Sequence, residues 1–216
     1  MSTSESNFRT PQEEFWAGSF GDDYIQRNTA EIFLAANIAL FADVCRHTGK
    51  LGSVIELGAN IGLNLRAIRC LQPQTELHAI EINRTACQQL ADQLPDTTIH
   101  ATSILDFEPT RTYDLAFIKG VLIHVHPDQL PTVYDKLATL AARYVMIAEY
   151  YNPVPVTINY RGHSDRLFKR DFAGEFLDRH PEFRVVDYAF VWRRDPMFPQ
   201  DDTTWFLLER QTGTPQ

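Results

Sequence analysis

The chain has 216 residues, 44% hydrophobic and 22% charged, the balance of one globular domain with a full core. Its net charge of −8 argues against a nonspecific nucleic-acid binder, which needs a basic face. No stretch is long and apolar enough to span a bilayer, and residues 1–10 lack the apolar core of a signal peptide, so a cytoplasmic protein is expected. Cys45, Cys70 and Cys87 show no metal-ligand spacing and fall in apolar helical stretches, which predicts reduced core residues and no metal.

Residues 1–10 read as a frayed start. Pro11 opens a short helix to Ala17, and residues 20–28 form a polar, aromatic stretch with a Gly21-Asp22 turn signal. Thr29 caps a long helix to about His47, with Ile32, Ala36, Ala39 and Leu40 on one stripe. Strands and helices then alternate. Strands are expected at 53–57, 75–82, 97–101, 113–119 and 144–150, with helices at 60–71, 84–94 and 129–142. A further helix at 172–179 and strands at 183–192 and 203–209 follow. Alternation of this kind implies right-handed crossovers and a parallel sheet. The polar residues 193–202 between the last two strands form a loop able to cover a site. Residues 1–28 form an N-terminal segment or lid, and residues 29–216 a single domain.

The run Val54-Ile55-Glu56-Leu57-Gly58-Ala59-Asn60-Ile61-Gly62 is a buried strand ending in an acid, followed by a turn. Glu81 closes the next strand, and a carboxylate about 20 residues beyond such a turn can hold a ribose diol. A dinucleotide fold would need G-x-G-x-x-G, which fails at Leu63, and Glu56 would repel a pyrophosphate. Asn60 tolerates left-handed backbone angles. In such sheets ligands bind beyond the C-terminal strand ends. That edge collects Glu56, Glu81, the loop 102–106, Lys119–His124 and residues 149–152.

The pattern E-x-G-x-N-x-G resembles motif I of the class I S-adenosyl-L-methionine (SAM) dependent methyltransferases, usually (D/E)-x-G-x-G-x-G. The stretch from Tyr113 to Val125, with His124 after its strand, is similar to a later motif of that family. Residues 56–150 match the family's central half. Phe15-Trp16, Phe20-Gly21-Asp22, Tyr24-Ile25, Arg27-Asn28, Glu149 to Pro153, Tyr160 to His163, Phe168 to Phe172 and Phe198 to Asp202 resemble a narrower group, methylases associated with pseudaminic acid biosynthesis. The resemblance implies an α/β, Rossmann-like, seven-stranded and mostly parallel sheet, with helices on both faces and the last strand antiparallel. It implies SAM as cofactor and a small-molecule acceptor, methylated on O, N or a carboxylate and derived from a sugar or an amino acid.

Carried onto this chain, the resemblance and the spacing together place Glu81 on the ribose. Gly58, Asn60 and Gly62 lie at the methionyl turn, and Glu56 orients the α-ammonium directly or through water. Ser103 and Ile104 bound the adenine, although Ser103 stands where many relatives carry an acid. Tyr24 and Asn28 close over the cofactor. Lys119 ends the fourth strand beneath the expected sulfonium and points to a substrate anion or to Glu149. His124 and His163 are candidate bases, and Tyr151 completes the catalytic set. Tyr150, Tyr160, Arg161 and Lys169, on the segment 150–171, form the acceptor side. A second reaction on the same cofactor stays open, in which the α-amine of SAM attacks its own side chain to give azetidine-2-carboxylate and methylthioadenosine. A SAM-binding accessory protein and a NAD enzyme are more distant alternatives.

Overall fold

The computed structural model describes residues 8–25, 31–160 and 163–211, without the side chains of 23, 24, 31, 32 and 159–166. Its main sheet has seven strands: β1 (Ser53–Leu57), β2 (Glu76–Glu81), β3 (Thr98–Ala101), β4 (Tyr113–Lys119), β5 (Ala141–Glu149), β8 (Phe183–Val191) and β9 (Thr203–Arg210). Their order is β3-β2-β1-β4-β5-β9-β8. Six strands share one direction, and β9 runs antiparallel to them between β5 and β8. The expected seven-stranded sheet with its last strand antiparallel is therefore present.

β1 is hydrogen-bonded on both edges and four of its five residues are buried. That is why the segment reads as a continuous apolar run rather than an alternating one. Two cores flank the sheet. One joins Ile55, Leu57 and Ile118 to Leu137, Phe172 and Phe176; the other joins Val54, Leu77 and Phe117 to Phe41, Val44 and Leu65. The covering helices are α3 (Glu31–Thr48), α4 (Leu63–Leu71), α5 (Arg84–Gln93), α6 (Leu130–Leu140) and α7 (Phe172–Arg179).

Three local differences from the expected elements have physical causes. Helix α4 starts at Leu63, because Gly58, Asn60 and Gly62 all adopt positive φ (78°, 48° and 79°), which no α-helix accommodates. Residues 20–28 do not begin with a turn: α1 (Pro11–Ala17) is followed at once by α2 (Ser19–Ile25). The segment 150–171 contains an antiparallel hairpin, β6 (Val156–Tyr160) and β7 (His163–Lys169), whose Leu167 and Phe168 are buried. Its polar, aromatic composition reads as a loop, and only burial of one end reveals strands. Cys45 and Cys87 are half-buried and Cys70 on α4 is exposed, so the expectation of three core cysteines fails. Arg69, Cys70 and Leu71 lie in the last turn of the helix, past the buried stripe Leu65, Ala67 and Ile68.

No helix among the described residues is long and apolar enough to cross a membrane.

Candidate functional site

A cavity of about 510 Å³ opens beyond the C-terminal ends of β1, β2 and β4, where parallel sheets place their ligands. It has three regions. The first lies between the ends of β1 and β2, the second between β4, α3 and the loop before β9, and the third against the turn Leu122–His124 and the base of the β6–β7 hairpin.

The first region is built around Glu81. Its Oε2 accepts the N–H of Asn60 at 2.7 Å and its Oε1 accepts the N–H of Asn83, also at 2.7 Å. Glu81 also lines the cavity. Burial pushes this carboxyl above its ordinary value, opposed by those N–H donors. The turn itself hangs from β2, since the N–H groups of Gly58 and Ala59 both donate to the Ile80 carbonyl, at 2.8 and 3.1 Å. A Cβ on Gly58 would come 2.6 Å from Val121 Cγ2, and one on Gly62 would come 2.8 Å from Leu90 Cγ. Protein side chains, not open space, fill both positions. Both glycines are thus required by backbone angle and by internal packing.

Glu56 is fully buried and does not line the cavity. Its Oε1 accepts from Asn64 Nδ2 at 2.6 Å, and Asn64 forms part of the wall. Burial pushes the Glu56 carboxyl up to about 8, opposed by that hydrogen bond and by the charge of Lys119. Asn64 therefore stands between Glu56 and the cavity. The Oδ1 atoms of Asn60 and Asn64 and Gln200 Oε1 are buried without hydrogen-bond partners among the described residues. Gln200, from the loop before β9, is anchored by its Nε2, which donates to the Ala36 carbonyl of α3 at 2.8 Å.

Lys119 ends β4, half-buried, and it lines the cavity. Loss of solvent lowers its pKa, while Glu56, Asp201 and Glu149 act to restore it. Glu149 Oε1 accepts the N–H groups of Val121 and Leu122 at 2.9 and 2.8 Å, which fixes the turn bearing His124, while its Oε2 is buried without a hydrogen-bond partner among the described residues. Burial raises Glu149 to about 7 against those donors.

α1 and α2 form the outer wall of the first region. Thr10 and Glu13 make a capping box on α1. Glu13 Oε1 also accepts the Ser103 hydroxyl, Arg9 pairs with Asp106 at 2.5 Å, and Trp16 sits on the His124 ring at 4.6 Å. Asn83 Nδ2 ties this layer to α5 through Asp22 Oδ1 at 3.1 Å.

The structure brings Gly58, Asn60, Glu81, Ser103, Ile104, Lys119, His124 and Tyr150 together around the cavity. Lys169 lies over the Tyr150 ring at 5.1 Å. Tyr151 is not brought there; it is 45% exposed and faces Phe206 across a separate shallow hollow. Tyr24 lies on α2, and Tyr160 and His163 pair across the hairpin, with side chains outside the described set. Asn28 and Arg161 lie outside the described residues. Sequence reasoning missed Asn37, Asn64 and Gln200 as cavity residues, along with Glu13 and Asn83. Gln200 carried a signal, since it stands in a matched stretch, but its neighbours Asp201 and Asp202 read as solvated turn charges.

No protein-family model and no curated protein matches the chain. Solved structures do. One is the Burkholderia thailandensis 1,6-didemethyltoxoflavin-N1-methyltransferase with bound 1,6-didemethyltoxoflavin and S-adenosylhomocysteine. It is 17% identical, with 96% of this chain and 93% of that one covered and a TM-score of 0.73. Another is magnesium protoporphyrin IX methyltransferase from Synechocystis PCC 6803 with bound S-adenosylhomocysteine, 13% identical, covering 92% and 97% at a TM-score of 0.66. A third is the glycopeptide N-methyltransferase MtfA complexed with SAM, 13% identical, covering 82% and 94% at 0.61. At these identities the likeness concerns architecture, and the chain has the Rossmann-like fold of the SAM-dependent methyltransferases.

Proposed function

We propose that this protein is a SAM-dependent methyltransferase that acts on a small molecule. The observation that carries the reading is the coupling of Glu81 to the left-handed Asn60 turn at the mouth of the cavity. It sets an acidic acceptor where a ribose diol would lie. The neighbours in fold that hold SAM or S-adenosylhomocysteine support the same cofactor.

SAM, when bound, supplies an activated methyl group on a sulfonium. On this reading Glu81 accepts from the ribose hydroxyls, and Ser103 and Ile104 bound the purine. The layer of α1 and α2 excludes water. Alignment in a closed site can contribute roughly 7–11 kcal/mol to such a displacement. His124, on its Glu149-fixed turn, is the base that takes a proton from an amine or hydroxyl acceptor; a carboxylate acceptor needs none. Tyr150 and Lys169 lie on the acceptor side. The working protein is a cytoplasmic enzyme of biosynthesis, and the pseudaminic acid-associated group remains its finer sequence likeness.

A second reading uses the same cofactor and the same cavity residues: SAM is itself the substrate, its α-amine attacking its own side chain to give azetidine-2-carboxylate with loss of methylthioadenosine. Incubation with SAM alone, followed by mass spectrometry, separates the two. Methylthioadenosine with stoichiometric azetidine-2-carboxylate establishes cyclisation. Intact SAM, followed by S-adenosylhomocysteine only once an acceptor is added, establishes methyl transfer. Failure to bind SAM or S-adenosylhomocysteine refutes both.

A further inference from the structure

We propose that β8 is the interface of a symmetric homodimer, in which the edge strands of two copies pair antiparallel about a twofold axis at Phe190.

The two edges of the sheet differ in kind. β3 closes one side with four residues, whereas β8 closes the other with nine. Among the described residues β8 pairs with β9 alone, so its outer edge presents backbone N–H and C=O groups without a strand partner. Monomeric proteins blunt such edges with short strands, bulges, proline or lysine. β8 has one bulge, between Val185 and Asp187. The stretch from Asp187 to Val191 beyond it is regular and carries neither proline nor lysine.

Tyr188 and Phe190 stand at alternate positions of this stretch, and Trp192 follows in the same phase. They are 62%, 59% and 49% exposed. Tyr188 stacks on Phe206 of β9 with centroids 5.4 Å apart, which steadies its ring. At roughly 150–250 Å² per aromatic side chain, the three leave about 300 Å² of ring surface in water on each copy. One side of a standard interface buries about 800 Å². The rings supply more than a third of it, and the strand backbone with the flanking side chains extends the same patch.

Charge and register select a second copy as the occupant. A twofold interface sets residue i against j and j against i. With the axis at Phe190, that residue meets its own copy, Tyr188 meets Trp192, and Asp187 meets Arg193. Asp187 and Arg193 have side chains 41% and 70% exposed, and each is steadied within its own chain, by His47 at 2.9 Å and by Asp202 at 3.5 Å. The neighbouring registers set Asp187 against Val191 or against Asp195, and neither complements it. One register thus gives both the aromatic cross-strand pairs and the opposite charges.

The test is sedimentation equilibrium of the full chain from about 1 to 100 μM. A monomer–dimer equilibrium is expected. Phe190→Arg should raise its dissociation constant roughly 30-fold or more, as loss of a central aromatic anchor does. Far-UV circular dichroism and a cooperative melt show that the variant folds. Register is read by cross-linking at the highest concentration in a Cys70→Ser background, since Cys70 is exposed. Phe190→Cys should form a disulfide with its own copy under mild oxidation, because residues facing each other across the axis have Cα atoms about 4.5–5.5 Å apart. Ala189→Cys should not, because its copy lies on the diagonal at about 7–8 Å. A monomer throughout the range overturns the proposal. So does a dimer that Phe190→Arg leaves intact, or one in which Ala189→Cys cross-links and Phe190→Cys does not.

Discussion

Asn60 donates its backbone N–H to Glu81 Oε2 at 2.7 Å, so the turn after β1 and the acid after β2 form one unit. Glu81 thus anchors Asn60 and Asn83, and on the proposed SAM reading it also accepts from the ligand. Glu81→Ala should weaken S-adenosylhomocysteine by one to two orders of magnitude, since a charge-assisted hydrogen bond contributes roughly 1.5–3 kcal/mol. It should also lower the melting temperature, because two buried N–H groups lose their acceptor at about 1–3 kcal/mol each. Glu81→Gln keeps one amide oxygen and should fall between. Calorimetric titration and thermal unfolding check both, and unchanged affinity would refute the ribose assignment.

The glycines of the turn answer to packing. Gly62 has φ 79° and faces Leu90 of α5 across a gap that a Cβ would close to 2.8 Å. Gly62→Ala should therefore destabilise the fold by roughly 1–3 kcal/mol, from left-handed strain and overpacking together. The double variant Gly62→Ala with Leu90→Ala should be less than additive in denaturant unfolding, because removing Leu90 opens the space. Strict additivity would mean that strain alone accounts for the loss.

The sheet was legible because β1, β2, β4 and β5 are buried on both faces, which writes an apolar run into the sequence. Glu56, Asn60 and Glu81 were legible for the same reason, standing at the ends of those runs. The hairpin β6–β7 was not, because Thr157 and Ile158 are exposed and polar residues surround its buried Leu167 and Phe168. Gln200 and Asn37 were hidden for another reason. They meet Lys119 around the cavity only through tertiary folding, from α3 and a loop more than 150 residues apart, and no local spacing records that.

Glu56 links stability to pH. Its folded value is raised to about 8 by burial, against about 4.3 in an unfolded chain. The folded state then binds the extra proton, so this contribution is complete below about pH 4.3 and is lost as pH rises through about 8. Glu149, raised to about 7, acts in the same sense, whereas Lys119, lowered by burial, acts in the opposite one. Comparison with Glu56→Gln isolates the effect. Between pH 5.5 and 8.5 the parent's melting temperature should fall by a few degrees more than that of the variant. Parallel curves would show that Glu56 titrates alike in both states.

Trp16 rests on the His124 ring at 4.6 Å, and Glu13, three residues earlier on α1, holds Ser103. The outer layer therefore touches both the proposed base and the proposed purine wall, and ligand entry must disturb it. Trp192 and Trp205 lie on or beside β8 and β9, away from these contacts. Addition of S-adenosylhomocysteine should change the intrinsic tryptophan emission, and Trp16→Phe should remove most of that change while leaving the fold intact. Trp16→Ala should in addition weaken binding several-fold, since a large aromatic face is lost from the cavity wall. A full emission change in Trp16→Phe would assign the signal to the β8–β9 side and refute the lid role of α1.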